Sequence, residues 1–278
     1  MKMYRDITIK KRLGQNFLRD QSVLTKISAF VQEAQPEAIV EIGSGTGELT
    51  DYLIPFNLNL TLIEIDPALI NHLQHKYQQC PTVKILEADA RKIEFTQLLD
   101  KDAKNVVVGN LPYVSAINIM KQLNPARHLI AQIIVMLQKE VAHKISASVG
   151  QRAYSALSLF FNYQYQTAIK LEVSKDSFFP TPKVDSTVIV LEPSSDQRLI
   201  PRLEEKLFHR LVHAAFLNRR KKIINSLQNS QYCGYSRTKM TTVLEEVAIS
   251  PDTRPDQISL EQYTQLAALL LKQTNGED

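Results

Sequence analysis

The sequence lacks tryptophan altogether and has only two cysteines, Cys80 and Cys233, in 278 residues. They stand far apart and in no C-x-x-C or Cys/His pattern, which argues against a disulfide framework or a zinc site and fits a reducing compartment. No apolar run reaches the roughly 18 residues that suggest a membrane-spanning helix. The basic N-terminus also lacks the apolar segment of a secretion signal. We therefore expect a soluble, cytoplasmic protein with no membrane partner and no metal.

The length predicts more than one domain, because 278 residues exceed the roughly 100 to 200 residues of a usual domain. A hydrophobic content of 44% is enough to fill a real core. The polar, turn-forming residues at 192–196 mark the predicted boundary. We expect a large α/β domain at residues 1–193 and a small all-helical domain at residues 194–278.

Glycine is also scarce, yet three of the eight glycines stand at positions 43, 45 and 47. This G-x-G-x-G loop lies between an apolar run and a helical pattern, so it predicts a strand, a tight turn and a helix that together bind a nucleotide-type ligand. Glu41 and Glu48 flank the loop, and their carboxylates would repel a pyrophosphate. S-adenosylmethionine carries an ammonium and a sulfonium but no phosphate, so the acidic flanks favour it.

Apolar β-type runs alternate with helical patterns as far as residue 137, which predicts a parallel doubly wound sheet. Strands are predicted at 38–42, 58–65, 83–86, 105–108 and 130–137, and helices at 48–54, 67–77 and 115–123. Two alternating runs at 165–173 and 186–191 are predicted to close the sheet as an antiparallel pair.

Candidate ligand-binding groups follow the ends of four predicted strands, namely Gly43, Glu64, Asp89 and Asn110. Ligands of such sheets bind beyond the carboxyl ends of the strands, so these groups are expected to share one rim. Glu64 can accept both ribose hydroxyls of a nucleoside, and Asp89 can meet an adenine amino group.

Asn110-Leu111-Pro112-Tyr113 is expected to hold a base whose exocyclic amino group reacts. The Asn110 carbonyl and a backbone carbonyl held by Pro112 can accept hydrogen bonds from that amino group, and Tyr113 offers a face for stacking. Two acceptors would restore lone-pair density to an adenine N6, which is otherwise delocalised into its ring. The alkylated nitrogen is acidic and sheds its proton afterwards, so catalysis would come from positioning and electrostatics without a general base acting first.

Basic residues are concentrated in two blocks on either side of an acidic body. Residues 1–12 contain five basic residues against one acidic, and residues 198–222 contain eight against two. Such blocks are typical of proteins that bind nucleic-acid phosphates. The candidates for contact with nucleic acid are Lys10, Lys11, Arg12, Arg219, Arg220, Lys221 and Lys222.

Seven ordered motifs span nearly the whole chain: KRLGQNFL, EIGSGTGELT, IEIDPAL, EADA, GNLPY, FFPTPKVDSTV and AAFLNRRK. Together they resemble the ribosomal RNA adenine dimethyltransferases, of the bacterial small-subunit type. The resemblance implies a class I S-adenosylmethionine-dependent methyltransferase, with a Rossmann-like sheet and a small all-α C-terminal domain. It also implies dimethylation at N6 of two adjacent adenosines near the 3′ end of 16S rRNA, with S-adenosylhomocysteine as the other product.

The resemblance also assigns roles to individual residues. Asn110, Leu111 and Tyr113 would hold the target base, and Phe179 would stack on it opposite Tyr113. The helical domain would bind rRNA, and a role in late small-subunit biogenesis is expected. We expect a monomer, because the sequence has no long apolar stripe that would call for a dimer. The residues implied in cofactor binding are Asn16, Leu18, Gly43, Gly45, Glu64, Asp89 and Asn110.

Three other readings remain open from the sequence. A large-subunit rRNA adenine methyltransferase of the macrolide-resistance type shares the glycine loop and an Asn-x-Pro-aromatic motif, although FFPTPKVDS and AAFLNRRK argue against it. A DNA adenine methyltransferase usually carries D-P-P-Y instead. A ribosome-assembly or transcription factor could also retain the fold as a binding module without catalysis, although intact Glu64, Asp89 and Asn110 disfavour a loss of activity.

Overall fold

The computed structural model describes residues 3–4, 7–194, 202–228 and 234–275. Outside these ranges lie Cys233 and several of the basic residues counted above, and of Lys11 and Arg202 only the backbone is described. The strands are β1 (Met3–Tyr4), β2 (Ile7–Thr8), β3 (Phe17–Leu18), β4 (Ala38–Ile42), β5 (Asn59–Glu64), β6 (Val83–Glu87), β7 (Asn105–Asn110), β8 (Ile130–Gln138), β9 (Tyr165–Val173), β10 (Phe178–Phe179) and β11 (Ser186–Pro193). The helices are α1 (Gln21–Glu33), α2 (Thr50–Leu53), α3 (Pro67–Lys76), α4 (Phe95–Leu98), α5 (Ala116–Leu123), α6 (Lys139–Ile145), α7 (Ala156–Gln164), α8 (Arg202–Phe216), α9 (Ile223–Gln228), α10 (Arg237–Glu246) and α11 (Leu260–Asn275).

Among the described residues, seven strands form one sheet in the order β6-β5-β4-β7-β8-β11-β9. The strands from β6 to β8 are parallel, and β11 pairs antiparallel with β8. Helices separate the successive parallel strands along the chain, as such a sheet requires. The predicted doubly wound sheet with antiparallel closing strands is therefore confirmed.

The central strands β4 and β7 are buried almost throughout, with the apolar sequences AIVEI and NVVVGN. Strands covered on both faces read as continuous apolar runs, which explains why the sequence predicted them well. Helix α1 packs against the sheet through buried Val23, Leu24, Ile27 and Val31. Its predicted N-cap is confirmed, because the Asp20 side chain accepts hydrogen bonds from the amides of Ser22 and Val23.

The helix predicted at 48–54 is shorter than expected. Only Thr50–Leu53 is α-helical, and a 3-10 turn over Ile54–Phe56 follows it. Pro55 cannot donate a backbone hydrogen bond, and Asn57 ends the turn in the left-handed region at a φ of 53°. The chain therefore leaves the helix and enters β5 directly.

The chain divides into two compact units, residues 1–142 with 167–193 and residues 143–166 with 194–278. The predicted boundary at 192–196 thus coincides with the point where the chain leaves the first unit for the last time, between residues 193 and 194. Residues 143–166, which the sequence placed in the first domain, instead pack in the second, where buried Tyr154 and Leu159 join its core. The core of this unit also contains Phe208, Leu211, Ile224 and Leu244.

The last helix of the second unit begins at a capping box. Ser259 Oγ accepts from the Gln262 amide and Gln262 Oε1 accepts from the Ser259 amide, both at 3.1 Å, as the sequence predicted. None of the helices in the described ranges is long and apolar enough to cross a bilayer.

Candidate active site

Four strand ends and the segment before α1 surround a single cavity. Gly43 follows β4, Glu64 ends β5, Asp89 lies just beyond β6, and Asn110 ends β7. The whole set of residues predicted to bind the cofactor lines this cavity: Asn16, Leu18, Gly43, Gly45, Glu64, Asp89 and Asn110. Asn110, Leu111, Pro112 and Tyr113 line it as well.

Two glycines leave room for close neighbours at this rim. Gly45 has a φ of +59°, and a methyl group on it would lie 3.2 Å from the Phe17 ring. At Gly109, on β7, a methyl group would lie only 2.4 Å from the Ile42 carbonyl oxygen on β4. A side chain at position 109 would therefore collide with β4, so the packing of the strands that carry the glycine loop and Asn110 requires glycine there.

The Glu64 carboxylate is buried and already accepts three hydrogen bonds from backbone amides. Gly45 donates to Oε2 at 3.0 Å, and Ile65 and Asp66 donate to Oε1 at 2.8 and 3.0 Å. Burial raises the pKa of Glu64, although these three bonds oppose that effect. A carboxylate has about four lone-pair positions, so one acceptor position remains on Oε2.

The Asp89 carboxylate is occupied by Arg91. The guanidinium Nη2 lies 2.6 Å from Asp89 Oδ2, and Nε lies 2.9 Å from Oδ1. The Arg91 amide also donates to Oδ1 at 3.0 Å. Hydrogen bonding to Arg91 lowers the pKa of Asp89. A ligand amino group must therefore compete with Arg91 for this acid, and both residues line the cavity.

The segment before α1 is fixed to the site by a polar network. Lys10 Nζ lies 2.5 Å from Asp66 Oδ1, and Gln15 Nε2 donates to Asp66 Oδ2 at 2.8 Å. The Lys10 amide donates to Gln15 Oε1 at 2.7 Å. Burial acts to raise the pKa of Asp66, but the bonds from Lys10 and Gln15 outweigh it and the pKa is lowered. Lys10, predicted to contact RNA, thus lies in a protein ion pair, whereas Arg12 is exposed.

Asn110 is oriented by this same segment. Its Nδ2 donates to the Asn16 carbonyl at 2.9 Å. A backbone carbonyl can only accept, so the contact fixes which end of the amide faces Asn16 and leaves Oδ1 as an acceptor elsewhere. Within the described part of the chain, no protein group donates to that oxygen.

The following turn places Tyr113 against the sheet. Pro112 O accepts from the amides of Ser115 and Ala116 at 3.0 and 2.9 Å, so that carbonyl is committed to the turn. The Tyr113 hydroxyl lies 2.6 Å from Ser186 Oγ on β11. Burial raises the pKa of Tyr113, so its hydroxyl is neutral at physiological pH.

Phe179 lies on β10, which pairs with β3 so that Phe179 is opposite Phe17. The Tyr4 ring stacks on Phe17 at 4.9 Å and lies 5.6 Å from Phe179, and the Arg19 guanidinium is 5.8 Å from the Phe179 ring centre. Phe179 is not among the residues that line the cavity. Sequence reasoning missed Tyr4, Arg19 and Arg91; the aromatic and basic character of the first 19 residues was the one available signal for the first two.

The four basic residues predicted in the helical domain differ in their contacts, since two of them form ion pairs with acidic residues and the other two are exposed. Arg219 Nη2 lies 3.1 Å from Asp256 Oδ2 and 2.9 Å from the Arg152 carbonyl, and Lys222 Nζ lies 2.8 Å from Asp252 Oδ1. Arg220 and Lys221 are exposed, and no ion pair is recorded for either within the described residues.

No group of three or more potential metal ligands occurs among the described histidines, cysteines and acidic residues. His209 and His213, which share a helix face in the sequence, have no third ligand there. The Glu205 carboxylate lies 3.7 Å from His209 Nε2.

The family model for "Ribosomal RNA adenine dimethylase" matches residues 7–272. The chain belongs to this family. The match covers both structural units of the dimethylase chain, including the site residues at 10–18, 43–64, 89–113 and 179.

Curated members of the dimethylase family resemble the chain over nearly its full length. It is 32% identical to "Ribosomal RNA small subunit methyltransferase A" of Lactococcus lactis, in an alignment that covers 96% of this chain and 91% of that protein. Identity to the protein of the same name from a Shewanella species is 35%, with 95% of each chain covered. A solved dimethyladenosine transferase from Plasmodium falciparum has the same fold, with a TM-score of 0.75 over 93% of this chain and 98% of that one, at 24% identity.

Proposed function

We propose that this chain transfers methyl groups from S-adenosylmethionine to N6 of two adjacent adenosines near the 3′ end of 16S rRNA in the small ribosomal subunit. The products would be N6,N6-dimethyladenosine and S-adenosylhomocysteine. The observation that carries the proposal is the orientation of Asn110, whose Oδ1 remains a free acceptor on the cavity that Glu64 and Asp89 also line. The names of the curated relatives favour the small subunit over the large-subunit alternative.

The residues that line the cavity fit S-adenosylmethionine. When bound, this cofactor supplies an electrophilic methyl group. Glu64 would accept a ribose hydroxyl at the open position on Oε2, and a second hydroxyl would have to share an oxygen with a backbone amide. Asp89 would accept from the adenine amino group once Arg91 moves aside. The loop at Gly43 and Gly45 would lie against the ligand without side chains in the way, and Asn16 and Leu18 would cover it.

The target adenine would be held by two acceptors. Asn110 Oδ1 and a backbone carbonyl would each accept a hydrogen bond from N6, which concentrates lone-pair density on that nitrogen. Because the Pro112 carbonyl is used inside the turn, the Leu111 carbonyl just before the proline is the better second acceptor. Tyr113 and Phe179 would stack on the base, and the proton would leave N6 after methylation.

The charged surfaces would hold the rRNA. Arg12, Arg220 and Lys221 are exposed and would contact phosphates, which makes affinity depend on salt. We assign catalysis to the first unit, residues 1–142 with 167–193, and RNA contact mainly to the second unit, residues 143–166 with 194–278. The protein would act as a cytoplasmic monomer, and a further role in late small-subunit biogenesis is part of this proposal.

The test is transfer of labelled methyl groups to unmethylated small subunits, large subunits and naked 16S rRNA, followed by nucleoside analysis. We expect N6,N6-dimethyladenosine on small-subunit material. Label on large-subunit RNA would point to the resistance-type activity. Binding of S-adenosylmethionine without any transfer would point to an assembly factor, which growth of an Asn110→Ala strain would then separate from a catalytic role.

A further inference from the structure

Val114 is the most exposed of the large apolar residues in the described part of the chain, with 85% of its surface accessible. It directly follows Tyr113 and lies at the border of the cavity. Apolar side chains are not rare on protein surfaces. This one, however, stands next to the proposed base-binding residues.

The turn that carries Val114 is held firmly. The Ser115 amide donates to the Pro112 carbonyl at 3.0 Å, which places Tyr113 and Val114 at the two central positions of the turn. Gly, Asn, Asp and Ser are the usual residues at such tips, and a β-branched apolar residue is unusual there. Helix α5 follows immediately and is anchored by buried Ala116, Ile119 and Met120.

The two central residues point in opposite ways. Tyr113 turns towards the sheet, where its hydroxyl meets Ser186 at 2.6 Å, whereas the neighbouring Val114 stands in solvent. A second exposed valine, Val184, lies two residues before Ser186 and is 42% accessible. The hydrogen bond between Tyr113 and Ser186 therefore joins the turn that carries Val114 to the first residue of β11.

We propose that Val114 is a positioning residue that inserts into the base stack of the RNA beside the target adenosine and keeps the adenosine extruded. An adenine N6 inside a helix cannot reach Asn110 unless its nucleotide leaves the stack, and extrusion costs stacking energy. Apolar side chains that fill the gap are a common way to offset that cost. The inference rests on the proposed function, because it requires a base as substrate.

The test uses an RNA hairpin with two adjacent adenosines in its stem and 2-aminopurine at the target position, whose fluorescence rises on unstacking. Wild type should raise the fluorescence, and Val114→Ala should reduce that rise by about fivefold or more at saturating protein. Val114→Ile should keep the full fluorescence rise, because isoleucine retains an apolar wedge. Val149→Ala removes another exposed valine, 44% accessible, from the second unit and should match wild type.

A second arm separates extrusion from chemistry. In single-turnover methyl transfer, Val114→Ala should be about tenfold slower on the paired hairpin but within about twofold of wild type when an abasic site faces the target, because that base is already loosely held. Equal losses on both RNAs, or an unchanged fluorescence rise in Val114→Ala, would overturn the wedge. A wild-type protein that unstacks the probe but methylates neither RNA would contradict the proposed function, and the fluorescence comparison would still decide the role of Val114.

Discussion

Lys10 Nζ lies 2.5 Å from Asp66 Oδ1, and the carboxylate that it contacts is fully buried. Asp66 also caps α3 by accepting from the Ala68 amide, and its own amide donates to Glu64. One ion pair thus connects the N-terminal segment to the proposed ribose acceptor. Under the proposed function, Lys10 would therefore serve the cofactor side of the site rather than the RNA side.

Replacing Lys10 by Met should weaken binding of S-adenosylmethionine by about tenfold, because a buried carboxylate that loses its charged partner is destabilised. Calorimetric titration would measure the affinity. The matched control is Lys26→Met, which changes an exposed lysine on α1 and should leave the affinity unchanged. A lower RNA affinity with unchanged cofactor affinity in Lys10→Met would contradict this reading.

Asn110→Ala should lower single-turnover methyl transfer by roughly 100-fold to 1000-fold, as the loss of one pre-oriented polar group at a reacting centre commonly does. The contact with Asn16 is lost too, so cofactor affinity should be measured beside the rate. Asn59→Ala, at the exposed start of β5, serves as the control and should keep full activity. A loss below about tenfold would remove Asn110 from its proposed role.

Glu41 should make stability depend on pH. Burial first, and then the charges of Glu48 and Asp51, raise its pKa from 4.5 to about 8, while a 2.6 Å bond from Thr50 opposes the shift. An acid with a raised pKa gives its full stability below its unfolded pKa, and that stability is lost as the pH rises through the folded value. The free energy of unfolding should therefore fall by several kcal/mol between about pH 5 and pH 8.

Glu41→Gln keeps the shape of the neutral acid and an oxygen for Thr50, so it should flatten this dependence. Urea unfolding of both proteins across the same pH range would measure the difference. Parallel profiles for wild type and variant would mean that another group titrates.

Arg220 and Lys221 should account for more of the salt dependence of RNA binding than their neighbours. The double variant Arg220→Ala/Lys221→Ala should lower the slope of log affinity against log salt by about one per residue. Arg219→Ala should mainly lower the melting temperature, because Arg219 bonds Asp256 and the Arg152 carbonyl. Filter binding over a salt series and thermal melts of both variants would show whether the exposed residues and Arg219 differ in this way.

Much of the fold could be predicted because its signals are local. The apolar run before the glycine loop gave β4 with correct bounds, and the capping residues Asp20 and Ser259 marked the starts of their helices. The rim residues followed from a general property, since the carboxyl ends of parallel strands meet at one edge.

The partners of those residues could not be predicted, because they depend on contacts between distant parts of the chain. Lys10 and Asp66 are 56 positions apart, and Tyr4 reaches Phe179 from the other end of the same unit. The bond between Arg91 and Asp89 is local, yet spacing alone does not tell whether an arginine two residues away turns towards the acid or into solvent. Charge counting likewise could not separate Arg219, which is used inside its unit, from the exposed Arg220.

Gly109 matters for how variants of this protein should be interpreted. It binds nothing through a side chain, yet the Ile42 carbonyl leaves no room for even a methyl group there. Any substitution must push β4 and β7 apart. The loop at Gly43 and the strand end at Asn110 would then both be displaced. In a screen of random variants, residue 109 would therefore score with the active-site residues, and its intolerance would reflect the spacing of two strands rather than any contact with cofactor or RNA.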